Sequence, residues 1–373
     1  MSFTELGLSS ALIEACGFAE PTPIQREAIP AVLEGRDVLG IARTGSGKTA
    51  SYVLPILQRM MAAQLSEHRE PATLILVPTR ELADQIFQVV RGLLTALPSD
   101  LSCRVVFGGV SINKQMEGLG KVNLLVATPG RLLDLVRKNA VRLSSVTTLV
   151  LDEADKMLNL GFKDEIDELL ALLSKKRQSL LFSATGKIEL AGHLLNPVVV
   201  EIAHDGEEET LINQVAYAVS EVRKGPLLRY LIKQGKFEQV LVFVSSTLTA
   251  DRVLNKLSKN GIASSILHSK MSQGARRESL ADFKAGKAKV LVATDLLSRG
   301  IDIHELSCVI NYELPRSPKD YVHRIGRTGR AGSPGEAISL VTPEEEHHFK
   351  IIQKKMKRRI DLIESEDLDL RGF

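Results

Sequence analysis

Short, continuous runs of apolar residues recur along the chain, and longer stretches with helical periodicity separate them. In the first half the apolar runs lie at residues 38–41, 74–77, 124–127, 149–151 and 180–182, with helical patterns at 81–97 and 162–173. A continuous apolar run indicates a strand that is buried on both faces, and such strands alternating with helices form parallel sheets. The pattern therefore predicts an α/β fold with helices on both faces of each sheet.

A second series of apolar runs follows, at residues 240–244, 290–292, 308–311 and 338–341. A polar, acidic stretch with a glycine, residues 204–210, separates the two series and has the composition of a linker. Since 373 residues suit two domains of ordinary size, we expect a tandem arrangement. The expected parts are domain 1 at 1–204, a linker at 205–212, domain 2 at 213–343 and a charged helical tail at 344–373.

Composition excludes several classes of protein. Hydrophobic residues are 44% and charged residues 25%, as in a globular protein. No apolar run approaches the ~20 residues of a membrane helix, and the start of the chain lacks a targeting pattern, so we expect a cytoplasmic protein. The net charge of +3 permits a nucleic-acid partner without requiring one.

The chain contains three cysteines, Cys16, Cys103 and Cys308. They show no paired or metal-ligand spacing, so we expect them to be buried free thiols.

A glycine-rich loop follows the first apolar run and opens a helical stretch. Its sequence is A-R-T-G-S-G-K-T at 42–49, which differs from the common phosphate-binding pattern in starting with Ala42. Backbone N–H groups of such a loop surround phosphate oxygens, Lys48 reaches the β- and γ-phosphates, and the Thr49 hydroxyl holds Mg²⁺. The residues expected to hold the nucleotide are Arg43, Thr44, Gly45, Ser46, Gly47, Lys48 and Thr49.

Four residues, Asp152-Glu153-Ala154-Asp155, follow the apolar run at 149–151. Carboxylates at the carboxyl end of a parallel strand point into the crevice where ligands bind. We expect Asp152 to take part in the Mg²⁺ shell and Glu153 to orient and deprotonate the attacking water. The alternative is a solvated helix start, because acidic residues favour that position, and Asp155 is also compatible with a structural role.

Three arginines stand at three-residue spacing in H-R-I-G-R-T-G-R, residues 323–330. On a helix, Arg324, Arg327 and Arg330 would point to one side. A guanidinium suits a phosphate group in a bidentate way, so the cluster can supply an arginine to phosphoryl transfer when the domains close. The alternative is a basic face that binds only the nucleic-acid backbone.

With these motifs in this order, the chain resembles the DEAD-box ATP-dependent RNA helicases of superfamily 2, a family named after the string at 152–155. The resemblance spans about residues 3–342 and is typical of a bacterial member with a minimal helicase core. It implies two tandem RecA-like domains, ATP and Mg²⁺ as cofactors, and single-stranded or short duplex RNA as the partner.

The same resemblance assigns further nucleotide contacts. Gln25 reads the adenine edge, for which a glutamine amide offers both a donor and an acceptor. Phe18 packs near the base, although it is equally compatible with a place in the core. Asp302 faces the ribose, and Ala331 replaces the aromatic residue that some members place beside the adenine. The expected catalytic residues are Lys48, Asp152, Glu153, His323, Arg327 and Arg330, with His323 bridging toward the carboxylate string.

RNA contacts are also implied by the resemblance, as backbone contacts that do not read sequence. Ser183 and Thr185 couple the ATP state to unwinding. The residues expected to bind RNA are Thr79, Arg80, Gly108, Gly109, Thr128, Pro129, Gly130 and Arg131 in the first domain and Gln273, Arg276 and Thr294 in the second.

The function predicted from these residues is an RNA-dependent ATPase. It would unwind short RNA duplexes, or remodel RNA–protein complexes, by ATP-driven closure of two domains on single-stranded RNA. With no tryptophan and 4% aromatic residues, base stacking cannot dominate binding. An ATP-gated RNA clamp uses the same residues, and a DNA-translocating motor is the weaker alternative. The basic residues at 354–359 suit either a solvated helix or an auxiliary RNA contact.

Overall fold

Two seven-stranded sheets organise the chain, one in each half. The computed structural model describes residues 1–42, 45–63, 70–186, 189–202, 212–295, 306–329 and 334–373. By its internal contacts the chain divides into two units, Met1–His204 and Asp205–Phe373. Among the described helices, none combines the length and the apolar character needed to span a membrane.

In the first unit, strands and helices alternate along the chain. The strands are β1 (Val38–Ile41), β2 (Thr73–Leu76), β3 (Cys103–Val106), β4 (Leu124–Ala127), β5 (Thr148–Leu151), β6 (Gln178–Ser183) and β7 (Val198–Glu201). The helices are α1 (Ser10–Cys16), α2 (Pro23–Leu33), α3 (Lys48–Ala62), α4 (Arg80–Ala96), α5 (Ile112–Glu117), α6 (Pro129–Arg137), α7 (Ala154–Asn159) and α8 (Lys163–Ala171), followed by a 3₁₀ helix at Glu189–His193.

All strand pairs of this sheet are parallel, in the order β3-β4-β2-β5-β6-β1-β7. Side chains of a strand alternate between the two faces, and both faces are covered here. Ile75 packs in the same apolar cluster as residues of α2, α3 and α4. Its neighbours Leu74 and Leu76 pack in the cluster that contains residues of α6, α7 and α8.

The second unit repeats this plan with its own set of elements. Its strands are β8 (Ile212–Ala218), β9 (Val240–Val244), β10 (Ser264–Leu267), β11 (Val290–Thr294), β12 (Cys308–Asn311), β13 (Gly335–Val341) and β14 (Leu362–Glu364). Its helices are α9 (Glu221–Gln234), α10 (Thr247–Lys259), α11 (Gln273–Lys284), α12 (Pro318–Ile325) and α13 (Glu346–Met356), with a 3₁₀ helix at Pro343–Glu345.

The second sheet is also wholly parallel, in the order β10-β11-β9-β12-β13-β8-β14. Val240 and Val242 share a cluster with residues of α9 and α10, whereas Leu241 and Phe243 share a cluster with Phe283 of α11. Each sheet therefore has helices on both faces, and the predicted α/β fold is confirmed.

The three cysteines largely match the prediction that they are buried free thiols. All three cysteines are free, and Cys103 and Cys308 are buried, while Cys16 is only partly buried. Burial raises the pKa of the Cys103 thiol to about 12, and it raises the pKa of Cys308 as well. The two buried thiols are therefore protonated and unreactive at neutral pH.

The segment after residue 343 differs from the expected charged helical tail. It begins with α13, but β14 then pairs with β8, and the Ser365 hydroxyl donates a hydrogen bond to the Ala218 carbonyl at 2.6 Å. Leu370 packs in the same cluster as β9 and β12. The segment is therefore part of the second sheet. Ile212, which we had placed at the end of the linker, begins β8, and residues 205–211 of that linker lie outside the described residues.

The basic residues near the end of α13 are exposed. Lys354, Lys355 and Lys357 lie on the surface, and Lys357 adopts the left-handed conformation that ends the helix (φ 53°). Lysines in the last turn of a helix also interact favourably with its dipole. An RNA contact at these residues therefore stays a prediction.

Replacing Leu370 with alanine tests whether the C-terminal segment stabilises the second unit. Leu370 is 9% exposed and packs in the core, so Leu370→Ala should lower the free energy of unfolding by about 2 kcal/mol. Leu248→Ala is the matched control, because Leu248 on α10 is 59% exposed and its truncation should change the free energy by less than about 0.5 kcal/mol. Urea denaturation measures both, and equal effects would contradict the packing role.

Candidate nucleotide site and nucleic-acid interface

The parallel sheet of the first unit brings three of the predicted motifs to neighbouring strand ends. β5, β6 and β1 are adjacent in the sheet, and each ends in a sequence that we singled out. Asp152 follows β5, Ser183 ends β6, and the glycine-rich loop follows β1. Because carboxyl ends of parallel strands lie at one edge, these groups face a common region.

The glycine-rich loop depends on two left-handed residues. Gly45 and Gly47 have φ values of 86° and 92°, a conformation that glycine adopts without steric cost. Gly47 is the N-cap of α3, which begins at Lys48. The loop therefore leads directly into a helix N-terminus, as an anion site requires. Of the residues predicted to hold the nucleotide, Arg43 and Thr44 lie outside the described residues.

Lys48 is buried at the start of α3. Its Nζ donates a hydrogen bond to the Ala42 carbonyl at 2.6 Å. Burial lowers the pKa of Lys48, and the negative charges of Asp152 and Glu153 act in the opposite direction. Lys48 thus lies in a buried charge cluster with Asp152 and Glu153, the two predicted catalytic carboxylates, and with Lys156.

Asp152 is held at both of its carboxylate oxygens. Oδ1 accepts a hydrogen bond from the Glu153 backbone N–H at 2.8 Å, and Oδ2 accepts one from the Tyr52 hydroxyl, also at 2.8 Å. Burial raises the pKa of Asp152, while the positive charge of Lys48 opposes the rise. A buried carboxylate that faces a cation and keeps free lone pairs is a suitable Mg²⁺ ligand.

Glu153 adopts an unusual backbone conformation and makes a buried ion pair. Its φ of 52° is in the left-handed region, which is sparsely populated for residues with a side chain and recurs at functional sites. Oε1 pairs with Nζ of Lys156 at 2.5 Å, and both side chains are buried. Among the described residues, Oε2 has no hydrogen-bond partner. One oxygen is therefore fixed, and the other can accept a proton.

The predicted adenine motif contacts the phosphate loop directly. Gln25 is buried on α2, where its Oε1 accepts a hydrogen bond from the Thr22 backbone N–H at 2.9 Å and its Nε2 donates one to the Gly47 carbonyl at 3.1 Å. Phe18 is 50% exposed, so the alternative that it belongs to the core is wrong. The two residues thus differ: Gln25 is fixed by backbone groups and Phe18 presents its ring to the surroundings.

Ser183 and Thr185 form a local turn at the end of β6. Ser183 is fully buried, and its Oγ accepts a hydrogen bond from the Thr185 backbone N–H at 3.0 Å. The Ser183 carbonyl also accepts one from the Ala42 backbone N–H at 3.0 Å. The turn is therefore attached to the strand that leads into the phosphate loop, and its coupling role stays a prediction.

The predicted RNA contacts of the first unit follow the other three neighbouring strands, β3, β4 and β2. The residues of this group are Gly108 and Gly109 after β3, Thr128, Pro129, Gly130 and Arg131 after β4, and Thr79 and Arg80 after β2. The sheet order thus separates two halves of one edge. The nucleotide motifs occupy one half and the RNA motifs the other.

Arginines of the two neighbouring loops contact the loop after β3. A Cβ atom on Gly109 would lie 2.4 Å from Cζ of Arg80, so the guanidinium rests where a side chain would otherwise be. Arg131 donates from both Nη1 and Nη2 to the Val110 carbonyl at 3.0 Å. Thr79 caps α4 by accepting a hydrogen bond from the Leu82 backbone N–H at 3.2 Å. The three loops therefore form one connected surface.

In the second unit, the predicted RNA contacts lie at the β10–β11 side of the sheet. Gln273 begins α11 after β10, and Thr294 ends β11. Arg276 is buried and donates from Nη2 to the Ser269 carbonyl at 2.8 Å. Within the described part of the chain, Oε1 of Gln273 is buried without a hydrogen-bond partner, which marks it as an acceptor that a ligand could satisfy.

The arginine cluster is not presented by one helix, so the condition under which the three arginines would point to one side is not met. α12 ends at Ile325, so Arg327 follows the helix, and Arg330 and Asp302 lie outside the described residues. The glycine at position 326 ends the helix. Arg327 is buried and His323 is half-buried; their catalytic roles stay predictions.

Arg324 has a structural role instead. It pairs with both carboxylate oxygens of Asp295, at 2.5 and 2.7 Å, and donates to the Asn311 Oδ1 atom at 3.0 Å. Its guanidinium also lies 4.9 Å from the ring centroid of Phe243. The guanidinium is planar and permanently charged, and hydrogen bonds and the Phe243 ring surround it. Arg324 therefore connects β9, β11 and β12.

Comparison with known proteins gives consistent matches over both units. Residues 22–191 match the DEAD/DEAH box helicase family, and residues 223–332 match the helicase conserved C-terminal domain. The chain is 40% identical to the DEAD-box ATP-dependent RNA helicase RhpA of Helicobacter pylori, over 97% of this chain and 74% of RhpA. It is 38% identical to the DEAD-box ATP-dependent RNA helicase CshA of Bacillus cereus, over 99% of this chain and 70% of CshA.

Solved structures give the same result at the level of the fold. The structure of Saccharomyces cerevisiae Dbp5 bound to RNA and ADP BeF3 matches with a TM-score of 0.83 at 32% identity, over 98% of this chain and 96% of the chain in that structure. A DEAD box protein from Methanococcus jannaschii matches with a TM-score of 0.55 at 36% identity, over 97% of this chain and 99% of that one.

Adding a methyl group at Gly47 should weaken nucleotide binding. A Cβ atom there would lie 2.5 Å from Gln25 Nε2 and 2.8 Å from Thr22 Oγ1, on a backbone with φ of 92°. Because a left-handed residue with a side chain costs about 1–2 kcal/mol, Gly47→Ala should reduce the affinity for ADP about tenfold, as measured by calorimetry.

Gly92→Ala is the matched control for this change. Outside the neighbouring backbone of its own helix, no atom of the described residues lies within 4 Å of a Cβ at position 92, which is inside α4. This variant should keep the affinity for ADP and raise the free energy of unfolding by roughly 0.5–1 kcal/mol. Unchanged ADP affinity in Gly47→Ala would show that the loop tolerates the added atom.

Arg324→Lys should destabilise the second unit although it keeps the charge. An ammonium group cannot pair with both oxygens of Asp295 and also reach Asn311, so the free energy of unfolding should fall by about 3 kcal/mol. Arg316→Lys, at an exposed position just before α12, should change it by less than about 0.5 kcal/mol. Guanidinium denaturation measures both variants, and similar values would refute the structural role.

Proposed function

Because the chain belongs to the DEAD/DEAH box helicase family, we propose that it is an ATP-dependent RNA helicase. It hydrolyses ATP in an RNA-dependent manner and closes its two RecA-like domains on single-stranded RNA. This cycle unwinds short RNA duplexes or remodels RNA–protein complexes. The names of RhpA and CshA and the RNA and ADP BeF3 bound to Dbp5 support this function.

The observation that carries the proposal is the arrangement of Lys48, Asp152 and Glu153. Lys48 lies at a helix N-terminus, where it binds the β- and γ-phosphates of ATP. Glu153 orients the attacking water and takes its proton on Oε2, the oxygen without a partner among the described residues. The water oxygen bonds to the γ-phosphorus, the bond to the bridging oxygen breaks, and ADP and phosphate leave.

The site has the ligand chemistry that Mg²⁺ requires. In the described residues, no three His, Cys, Asp or Glu side chains cluster as a protein-only metal site, and Mg²⁺ typically binds through one or two protein oxygens plus substrate phosphates. The Asp152 carboxylate and the Thr49 hydroxyl are the protein oxygens that we assign to it. When bound, the metal ion offsets the negative charge of the phosphates.

The remaining nucleotide contacts are proposals that follow the family pattern. Gln25 reads the adenine edge and Phe18 covers the base, which suits the fixed amide and the exposed ring described above. Asp302 contacts the ribose. On closure of the domains, Arg327 and Arg330 reach the phosphates, and His323 bridges toward the carboxylates of residues 152–155.

RNA binds, in this proposal, along the loops after β3, β4 and β2 in the first unit and after β10 and β11 in the second. Arginine, hydroxyl and backbone groups dominate these loops, so the contacts go to phosphates and sugars. Binding should therefore be independent of sequence and sensitive to salt, with a preference for RNA through its 2′-hydroxyl groups. We also propose that the protein works in the cytoplasm.

The hydrolytic function is tested by measuring ATP turnover alone, with single-stranded RNA and with DNA of the same sequence. We expect stimulation by RNA and little by DNA. Glu153→Gln should lower the RNA-stimulated rate by about 100-fold or more, because the amide cannot take the proton of the attacking water. Glu14→Gln, at an exposed position of α1, is the matched control and should leave the rate unchanged.

A short RNA duplex with one labelled strand separates unwinding from clamping. Release of the labelled strand that requires ATP supports the helicase function. Tight, ATP-dependent binding of RNA without strand release would indicate an ATP-gated clamp. Equal stimulation of turnover by RNA and DNA would contradict the proposed preference for RNA.

A further inference from the structure

Tyr52 lies on α3, one helical turn after Lys48, and is fully buried. In the sequence it is simply one apolar position of a helix. Its ring packs on Phe182 with centroids 5.1 Å apart. A phenylalanine would make that contact equally well, so packing alone does not account for the phenolic hydroxyl, which needs a partner when it is buried.

The hydroxyl of Tyr52 supports the Asp152 carboxylate. It donates to Oδ2 of Asp152 at 2.8 Å. Since Oδ1 of Asp152 is bonded to the Glu153 backbone N–H, the Tyr52 hydroxyl completes the support of this carboxylate. It also connects Asp152, which follows β5, to α3, the helix on which Thr49 lies.

Asp152 and Thr49 are the residues assigned above to Mg²⁺. Mg²⁺ demands near-octahedral geometry with short bonds of about 2.1 Å, so a small displacement of either oxygen weakens binding. Side chains that hold metal ligands in place commonly contribute 10–100-fold to metal affinity. A hydroxyl that connects Asp152 to the helix that carries Thr49 is well placed to make such a contribution.

We propose that Tyr52 is a positioning residue of the magnesium site, whose hydroxyl fixes Asp152 and Thr49 relative to each other. The inference rests on the proposed function, because it takes these two residues as the Mg²⁺ ligands. It concerns the hydroxyl and not the ring. Tyr52 itself contacts neither ATP nor the metal ion in this proposal.

Tyr52→Phe removes only the hydroxyl and is the direct test. The affinity for ADP is measured by calorimetry, first with a chelator and then over a series of Mg²⁺ concentrations. Without Mg²⁺, the variant and the unmodified protein should bind ADP equally. The Mg²⁺ concentration that gives half of the tightening should rise about tenfold in the variant, and a large excess of Mg²⁺ should restore both ADP affinity and ATP turnover.

Two control variants separate the hydroxyl from packing. Tyr321→Phe makes the same change in the second unit, where a fully buried tyrosine hydroxyl is 3.1 Å from Ser339 Oγ and the ring centroid is 6.3 Å from that of Phe349. Phe182→Leu disturbs the ring contact of Tyr52 but keeps its hydroxyl. Both should lower the unfolding midpoint and leave the Mg²⁺ dependence of ADP binding unchanged.

Two results would overturn the role of Tyr52. The Mg²⁺ curve of Tyr52→Phe could coincide with that of the unmodified protein, or ADP affinity could fall equally with and without Mg²⁺, as expected of a purely structural residue. Failure of the proposed function has a different signature. In that case the unmodified protein would bind no ADP, or Mg²⁺ would have no effect on its affinity.

Discussion

Every strand of each sheet runs in the same direction, so all loops that leave the carboxyl ends open at one edge. The order of the strands then decides which loops are neighbours. In the first unit, β5, β6 and β1 bring the carboxylates and the glycine-rich loop together, while β3, β4 and β2 collect the glycine pair and its arginines. The predicted nucleotide and RNA sites thus become two halves of one edge. Sequence motifs that are more than 100 residues apart can act together only because of this topology.

Burial of charge at that edge is the main cost of the arrangement. Lys48 and Asp152 are both buried, and the opposite directions of their pKa shifts reflect the loss of water around each group. Lys156 and Glu153 form a buried ion pair beside them. Replacing such pairs with apolar residues often stabilises a protein. The buried charges suit the proposed ligand, ATP with Mg²⁺, which brings both negative charge and a cation.

The sequence predicts the central strands of both sheets and misses the strands at their margins. The apolar runs match β1, β4, β9 and β12 residue for residue. The four edge strands, β3, β7, β10 and β14, and the strand β8 beside β14 were not predicted. An edge strand is solvated on one side, and β3 and β10 accordingly carry polar residues such as Arg104 and Ser265 and lack a long apolar run. The edge strand β7 does have a short apolar run, Val198–Val200, and was missed all the same. These strands form because they pair with a neighbouring strand of the sheet, and the local sequence does not show that pairing.

In the candidate site, too, some residues are recognisable from the sequence and others are not. Residues with distinctive chemistry in a distinctive order, such as Lys48 and Asp152, are recognisable from the sequence. Their partners are ordinary residues whose importance depends on tertiary distance: Tyr52 looks like a core position, and Lys156 like a surface charge. Arg324 shows the opposite error, since its motif suggests a phosphate contact and its neighbours make it an internal tie. For Lys156, the sequence gives one hint of its ion pair with Glu153. Lys156 follows Glu153 by three positions at the start of α7, and residues at that spacing are neighbours on a helix.

The short edge strands also affect how the molecule behaves among its own copies. An unpaired strand edge is a template for hydrogen bonding to another chain. Here each edge strand has only three or four residues, and charged side chains stand on three of them, Arg104, Glu201 and Glu364. Two molecules that met edge to edge could form few backbone hydrogen bonds between their strands. The short, charged margins of the two sheets thus protect the folded protein from aggregation.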